Sequence, residues 1–327
     1  MPLLLTDRAA TVSPLQLITA SEARMLGLAV TSDRWLRVRR GVYVDREGFG
    51  RLPPWQKYIV RVHAFARMHP DSVLCMESAA TVLGLPLFGE TRDIHVFDPA
   101  RTSSRRFGDV CVHTSVDPRS VQRIGGLLVT GMRDTVVDLL RVLPPVQALT
   151  VADAAMSPAQ GGALTRDDLS DHAAVQQSTR GLAQLRWIWS RADPDSESPA
   201  ESVSRAVIEW SGFETPETQR EFRYEGVLDR TDFYFPSSRA IGEADGWSKY
   251  RFEDPKEAAR LLADEKRRED RLRRHRHPFA RWDLRAAWRV EPLCQALAAA
   301  SVSLVRPSQP AMLATLARRP REKPRRA

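Results

Sequence analysis

Two carboxylates on either side of a short turn carry the clearest chemical signal in this sequence. Asp232 lies in one β-rich run, Glu243 lies in the next, and the runs are separated by Pro236-Ser237-Ser238. This pattern predicts a β-hairpin, and if Ser237-Ser238 is a two-residue turn, Asp232 lies directly opposite Glu243. The same register pairs Arg230 with Asp245. Because side chains alternate along a strand, Asp232, Glu243 and Asp245 are predicted to share one face of the sheet.

Like charges placed opposite each other destabilise a sheet, so these carboxylates need a compensating cation. A divalent metal such as Mg²⁺ is one candidate, since hard cations prefer carboxylate oxygens and stabilise a phosphoryl transition state. Ion pairs with Arg230 and Lys249 are the alternative. They account for Asp245 but leave Asp232 facing Glu243, and we therefore favour the metal hypothesis.

An upstream helix supplies a further carboxylate. Ser198-Pro199-Ala200-Glu201 opens an apolar pattern that is typical of an amphipathic helix, which puts Glu201 in the first helical turn. There it either satisfies a backbone N–H as a capping glutamate or turns towards the metal face as an additional acid. The spacing alone favours the cap.

A basic helix is predicted downstream of the hairpin, over Pro255–Arg274. Lys and Arg dominate its second half, and such a face is either solvated or binds phosphate. Its position directly after a candidate metal site favours phosphate. A strand is predicted next, over Phe279–Trp282. The candidate nucleic-acid contacts in this region are Lys266, Arg267, Arg268, Arg271 and Arg281.

The net positive charge is confined to the same part of the chain. The 327 residues contain 49 Lys and Arg against 41 Asp and Glu, a formal charge of +8, yet residues 256–327 alone hold 19 basic and 8 acidic residues. One strongly basic segment favours an anionic partner, most often nucleic acid, and here we expect DNA. The three cysteines are far apart, which argues against a disulfide framework or a zinc site.

Membrane insertion is not expected. No apolar run approaches the ~18 residues that are needed to span a bilayer, and the first residues do not resemble a signal peptide. Hydrophobic residues make up 43% and charged residues 28% of the chain, as in ordinary globular proteins. We therefore expect a cytoplasmic protein of about two domains.

The N-terminal residues 1–48 have the element order of a winged helix-turn-helix. Thr19 and Glu22 have the spacing of a capping box, which begins a short helix that ends near Gly27. A second short helix is expected over residues 31–35, before a basic turn and a β-branched strand.

Arg39 and Arg40 in that basic turn are the candidate DNA contacts of this module. The alternative is that they belong to a solvated face on a small helical cap. Sequence patterns alone leave both interpretations open.

Four segments are predicted along the chain, in a mixed α/β (α+β) class overall. Alternating runs at Ile94–Phe97 and Val110–His113 predict strands, and Ala192–Pro199 is the better linker candidate. The end of the chain from Arg306 is expected to be disordered. The predicted segments are 1–48, a winged helix-turn-helix; 49–190, an α/β domain; 191–300, a second α/β domain; and 301–327, a basic tail.

Five motifs follow one another across residues 197–290: ESVSR, DRTDF, IGEADG, EKRREDRLR and ARWDL. Their order resembles the PD-(D/E)XK nuclease superfamily, most closely its small domains related to very-short-patch-repair endonucleases. The resemblance implies an αβββαβ restriction-endonuclease-like core and phosphodiester hydrolysis that depends on Mg²⁺ or Mn²⁺. It also implies metal ligands at Asp232, Glu243 and the Ala244 carbonyl, with Glu201 as an accessory acid.

One position departs from that family, because its catalytic lysine falls on Asp245 here. The missing positive charge would then come from a second metal, from Lys249 or from Lys266. The domain is accordingly either a nuclease with altered chemistry, in which Asp245 and Lys249 take part, or a degenerate nuclease fold that only binds.

The N-terminal two-thirds contains the motifs RRGVYV, MESAATVLGLPL, VTGMRDTVVDLLR and VADAA. They resemble the AbiEi-type antitoxins of type IV toxin–antitoxin systems. The resemblance implies a winged helix that binds operator DNA and represses its own operon, and a following domain that helps to antagonise a nucleotidyltransferase toxin. An antitoxin with an inert nuclease-like domain is thus the alternative function. We interpret Ser78, Arg133 and Asp138 within these motifs as structural.

Overall fold

The computed structural model of the chain describes residues 11–89, 91–245 and 255–317, without the side chains of 255–258, 261 and 262. Within these residues the chain forms thirteen α-helices and three β-sheets, which confirms the predicted mixed α/β class. No described helix is both long enough and apolar enough to cross a bilayer.

The chain divides into two compact units. The described part of the first unit covers residues up to 156 together with 161–192, and that of the second covers 157–160 and 193–317. The boundary falls at the linker predicted over Ala192–Pro199. The described residues of the segments predicted as 1–48 and 49–190 lie in the first unit, apart from 157–160.

The first unit begins with a three-stranded sheet and one short helix. Strands β1 (Ile18–Thr19), β2 (Trp35–Arg39) and β3 (Val42–Asp45) pair antiparallel in the order β1-β3-β2, and helix α1 (Ala20–Met25) follows β1. The predicted capping box is present. The Thr19 hydroxyl accepts from the N–H of Glu22, whose carboxylate accepts from the N–H of Thr19.

The second helix predicted over residues 31–35 is wrong. The described chain between α1 and β2 makes turns, in which the Trp35 N–H donates to the Ser32 carbonyl, and Trp35 already belongs to β2. The guanidinium of Arg46 donates to the carbonyls of Asp33 and Trp35 and thereby holds this turn. A one-turn helix is costly to nucleate, so strand pairing and these turn contacts prevail.

The rest of the first unit packs helices around a mixed six-stranded sheet, with strand order β6-β7-β5-β4-β9-β8. The predicted strands Ile94–Phe97 and Val110–His113 are confirmed and pair in parallel as β5 and β7. Its strands are β4 (Val73–Leu74), β5 (Ile94–Phe97), β6 (Arg105–Phe107), β7 (Val110–His113), β8 (Val121–Ile124) and β9 (Leu127–Thr130). Its helices are α2 (Arg46–Arg51), α3 (Pro54–Met68), α4 (Met76–Val82), α5 (Met132–Leu140), α6 (Pro145–Met156), α7 (Arg166–Ala174) and α8 (Leu182–Trp189).

The second unit contains a four-stranded sheet with the order β10-β11-β12-β13. Neighbouring strands are antiparallel except β12 and β13, which are parallel and are connected through a long helix. Its elements are α9 (Pro199–Ser211), β10 (Glu217–Tyr224), β11 (Val227–Phe235), β12 (Ala240–Asp245), α10 (Pro255–Arg274), β13 (Phe279–Asp283), α11 (Leu284–Arg289), α12 (Glu291–Ala299) and α13 (Pro310–Leu313). The first six follow one another in the order αβββαβ.

The predicted hairpin register is confirmed for the three residue pairs of the ladder nearest the turn. Phe233 pairs with Gly242 and Phe235 pairs with Ala240, which is the alignment that a turn centred on Ser237-Ser238 requires. The turn itself is longer than predicted, because residues 236–239 all lie outside the ladder. The amide and hydroxyl of Ser237 both donate to the Glu214 carboxylate, which stabilises the wider loop.

Helix α9 packs on one face of this sheet. The Trp282 indole N–H donates to the Ser204 hydroxyl of α9 at 2.7 Å, and the Trp282 ring stacks on Phe233. Gly242 admits this ring, since a Cβ atom there would lie 2.6 Å from it. Glu243 is the next residue along β12, so its side chain is directed to the opposite face.

The disorder predicted from Arg306 is wrong for residues 306–317. The N–H groups of Arg306 and Gln309 donate to the carbonyls of Gly212 and Trp210 at the end of α9, and Thr315 is buried. The end of a helix leaves carbonyls without partners, and this segment satisfies them. Residues 318–327, the most basic part of the predicted tail, lie outside the described residues.

Candidate active site

The structure brings Asp232 and Glu243 together where the hairpin ladder ends. Asp232 is half-buried, and its Oδ2 accepts from the N–H of Ala244 at 2.8 Å. The charge of Asp232 is one cause of the raised pKa of Glu243. The predicted juxtaposition of two acids is therefore present, and one oxygen of the pair is directed to the backbone of the facing strand.

Glu243 is the most deeply buried acid of this cluster, with 2% of its surface exposed. Its Oε2 lies 3.0 Å from Nη2 of Arg268, whereas its Oε1 is buried without a hydrogen-bond partner. Burial, together with Asp232, raises the pKa of Glu243 to about 7 against the opposing effect of Arg268. A buried acceptor without a partner costs about 1–3 kcal/mol, so this oxygen is a position where a cation would bind favourably.

Glu201 lies at the start of α9 and accepts from a backbone N–H, as predicted for a capping glutamate. Ser198 caps the helix by accepting from the Glu201 N–H, and the Ser198 hydroxyl donates to Glu201 Oε1 at 2.7 Å. Oε2 accepts from the Glu197 N–H and from Gln219, each at 2.9 Å. The carboxylate is buried, and burial together with the charge of Asp232 raises its pKa to about 7. Glu201 therefore belongs electrostatically to the Asp232 cluster while it also orders the helix start.

Asp245 ends β12 and is half-buried, in register with Asp283 of β13. Burial lowers the pKa of Arg281, but the charges of Asp245 and the neighbouring Glu265 raise it above its usual value. Asp245 therefore interacts electrostatically with Arg281. Lys249 lies outside the described residues.

Arg268 and Arg281 both pair with Glu265, a residue that is not among the predicted site residues. Arg268 donates to both oxygens of Glu265, at 2.8 and 3.1 Å, and to the Arg230 carbonyl. Arg281 contacts the same carboxylate. The pattern that would have revealed this pair is the three-residue helical spacing of Glu265 and Arg268. Both arginines are predicted phosphate contacts, and in the structure both pair with acids.

The other predicted phosphate contacts of α10 differ in whether they pair with a buried acid or are exposed to solvent. Arg271 binds both oxygens of the buried Asp229, each at 2.7 Å, which commits it to the fold. Lys266 and Arg267 are exposed, and Arg267 makes a surface ion pair with Asp264. Of the predicted contacts on this helix, Lys266 and Arg267 are the ones directed to solvent.

The N-terminal candidates also separate into a structural and an exposed residue. Arg39 pairs with Asp109 at 2.8 Å, and its guanidinium stacks 4.9 Å from the Phe65 ring centre. This pairing accounts for Arg39 within the first unit. Arg40 is exposed.

Ser78, Arg133 and Asp138 have structural partners in the first unit, in agreement with their interpretation. The Ser78 hydroxyl accepts from the His95 N–H. Arg133 contacts Asp168, and Asp138 forms two hydrogen bonds with Arg119.

The carboxylates of this cluster are the side chains that could bind a metal ion. Among the described residues, no group of three or more His, Cys, Asp or Glu side chains is arranged to hold one. Asp232 and Glu243 form a pair of carboxylates, and one oxygen of Glu243 has no hydrogen-bond partner.

No protein-family model matches the chain, and no curated protein is significantly similar to it.

The raised pKa of Glu201 predicts that the metal-free protein loses stability as the pH rises. A carboxyl group with a pKa of about 7 in the folded state and 4.5 when exposed holds its proton longer in the folded protein. Its contribution is therefore present at acid pH and is lost as the pH rises to about 7. Between pH 5 and 8 the wild type should lose about 2–3 kcal/mol more unfolding free energy than Glu201→Gln.

Urea unfolding in EDTA at both pH values measures this difference. Glu221→Gln, an exposed change on β10, is the control and should keep the wild-type pH dependence. Equal pH dependence of wild type and Glu201→Gln would show that Glu201 titrates normally.

Proposed function

We propose that the second unit is a metal-dependent nuclease domain that hydrolyses phosphodiester bonds in DNA. The observation that carries the proposal is the buried, unpartnered Oε1 of Glu243 beside Asp232. A fold retains such an oxygen at a cost, and a divalent cation is the group whose binding would repay it at a pair of carboxylates.

The topology supports the same proposal. The order αβββαβ, with antiparallel β10-β11-β12 and a parallel β13, is the core that the resemblance to PD-(D/E)XK nucleases implies. In such a core the acids lie on the central strands and on the first helix. Here those positions hold Asp232, Glu243 and Glu201.

Asp232, Glu243 and the Ala244 carbonyl would hold Mg²⁺ or Mn²⁺. When bound, the metal lowers the pKa of water and stabilises charge that develops on the phosphoryl oxygens. Glu201, with a pKa of about 7, can hold or release a proton near neutral pH. Asp245 stands where the resemblance to PD-(D/E)XK nucleases implies a lysine. Among the described residues, the guanidinium of Arg268 supplies a positive charge in contact with this cluster.

The DNA strand would be held by the exposed cations of α10. Lys266 and Arg267 are directed to solvent, and contacts to phosphate position a strand without reading its sequence. Arg40 is the corresponding exposed residue of the first unit. Operator DNA and a nucleotidyltransferase toxin remain proposed partners of that unit, through its resemblance to AbiEi-type antitoxins.

A binding-only antitoxin or autorepressor is the second candidate function. The observation that favours it is the Arg268 guanidinium 3.0 Å from Glu243, which already supplies a cation to the acid. In that case DNA upstream of the protein's own gene would bind in a salt-sensitive manner. Arg40→Ala would weaken that binding, and Asp232→Asn would leave it unchanged.

The test is cleavage of single-stranded, duplex and mismatched DNA by the full chain with Mg²⁺, Mn²⁺ or EDTA. We expect nicking or cutting with a metal, none in EDTA, and none with Asp232→Asn. Glu221→Gln serves as the matched carboxylate control and should cleave as the wild type does. Absence of cleavage with both metals on all three substrates would overturn the nuclease and leave the binding protein.

A further inference from the structure

A small pocket in the first unit has no part in the function proposed above. Its volume is about 170 Å³, and it lies beside the C-terminal end of α5, where β7 ends and residues 178–180 pass. Its lining includes three guanidinium groups, one carboxylate and several hydroxyls. The lining residues relevant to binding are His113, Arg119, Asp138, Arg141, Ser178 and Arg180.

The carboxylate of the pocket, Asp138, is already paired with an arginine. Asp138 accepts two hydrogen bonds from Arg119, at 2.8 and 2.9 Å. The nearby Asp117 accepts from the backbone N–H groups of Gln177 and Ser178. Arg119 and Asp138 therefore neutralise each other, and the surplus charge of the lining is positive.

Arg141 is a buried cation whose partners are all neutral. Only 7% of its surface is exposed, yet none of the described carboxylate oxygens lies within 4.0 Å of its guanidinium. Its Nη groups donate to the carbonyls of Arg180 and Ala173 and to Gln176, while Nε is buried without a partner. Burial lowers the pKa of Arg141, and the distant charges of Asp138 and Asp117 offset this only in part. A buried charge without a counter-charge is costly.

The loop that carries Arg180 is pressed against Arg141. Gly181 has a φ of +70°, and a Cβ atom there would lie 2.7 Å from the Arg141 carbonyl. Arg180, the residue before Gly181, lines the pocket and is exposed. The pocket thus has one buried cation, Arg141, and one exposed cation, Arg180.

We propose that this pocket binds the phosphate group of a small molecule. Guanidinium groups match tetrahedral oxyanions in charge and hydrogen-bond geometry, and the hydroxyl of Ser178 adds a polar contact at the wall. The volume equals that of about five or six water molecules, which admits phosphate with a short carbon chain. It is well below the ~300 Å³ at which sites for larger ligands begin.

Calorimetric titration of the full chain tests the proposal, with inorganic phosphate and with glycerol 3-phosphate as probes at constant ionic strength. Arg180→Ala removes a pocket cation but keeps the backbone carbonyl that Arg141 uses, so the fold should persist. Arg186→Ala, an exposed arginine of α8 outside the pocket lining, is the matched control. Asp232→Asn separates this site from the proposed nuclease site.

We expect saturable binding that weakens about tenfold or more in Arg180→Ala, because a charge-assisted hydrogen bond is lost. Binding should be unchanged in Arg186→Ala and Asp232→Asn. Tighter binding of glycerol 3-phosphate would assign the pocket to organic phosphates, and equal or tighter binding of inorganic phosphate would assign it to the free ion. No saturable binding of either probe, or equal weakening in both arginine variants, would overturn the proposal.

Discussion

Glu243→Gln is expected to abolish metal-dependent cleavage while the protein stays folded. Glutamine keeps the size of the side chain but removes the negative charge beside the unpartnered Oε1, so the pair with Asp232 keeps only one charge for a cation. A metal contributes several kcal/mol to a phosphoryl transition state. Cleavage at a fixed Mg²⁺ concentration should therefore fall about a thousandfold.

Two further measurements separate this effect from a loss of structure. Calorimetric Mn²⁺ binding should weaken in Glu243→Gln and stay normal in Glu221→Gln, and both variants should unfold cooperatively in urea. Cleavage by Glu243→Gln at the wild-type rate would exclude Glu243 as a metal ligand. In that event the raised pKa of Glu243 would reflect burial in the fold alone.

Arg268→Met is expected to cost about 3–5 kcal/mol of unfolding free energy at pH 8 in EDTA. Methionine retains most of the aliphatic stem, so the main loss is the guanidinium that contacts Glu243 and Glu265. Glu243 would then be a buried carboxylate without its cation. The exposed neighbour Arg267 provides the control, since Arg267→Met should change stability by about 0.5 kcal/mol or less.

The dependence on pH and a second substitution identify the cause. At pH 5 the deficit of Arg268→Met should shrink, because a Glu243 with a pKa of about 7 is then largely protonated in the folded protein. Adding Glu243→Gln to Arg268→Met should restore much of the lost stability, as expected of residues in one network. A deficit that is constant with pH and additive in the double variant would assign the loss to packing.

Local patterns predicted much of the second unit. Alternation along residues 228–245 and the turn after Pro236 predict the hairpin register, so the proximity of Asp232 and Glu243 follows from the sequence pattern. The capping residues Ser198 and Thr19 likewise marked true helix starts. These features depend on neighbours within a few positions, where spacing is informative.

The rest depends on contacts between distant parts of the chain. Arg39 pairs with Asp109, 70 residues away, and Arg271 pairs with Asp229, 42 residues away. Only the fold brings these groups together, so the basic run at 266–274 resembles a DNA-binding surface in the sequence although five of its six cations pair with acids. The helix predicted over residues 31–35 is wrong for the same reason, because the contacts of Arg46 with the carbonyls of the turn outweigh a marginal helical tendency.

The segment 306–309, which donates hydrogen bonds to the end of α9, affects the order in which the second unit can be completed during synthesis. Arg306 donates to the carbonyl of Phe213 across 93 residues, and Gln309 donates to that of Trp210. At a translation rate of about 5–20 residues per second, the ribosome needs about 5–20 s to supply these partners. Throughout that interval α9 has been synthesised, but its last hydrogen-bond partners have not. Long-range closure of this kind slows folding, so the nascent domain finishes only when its C-terminal segment is made.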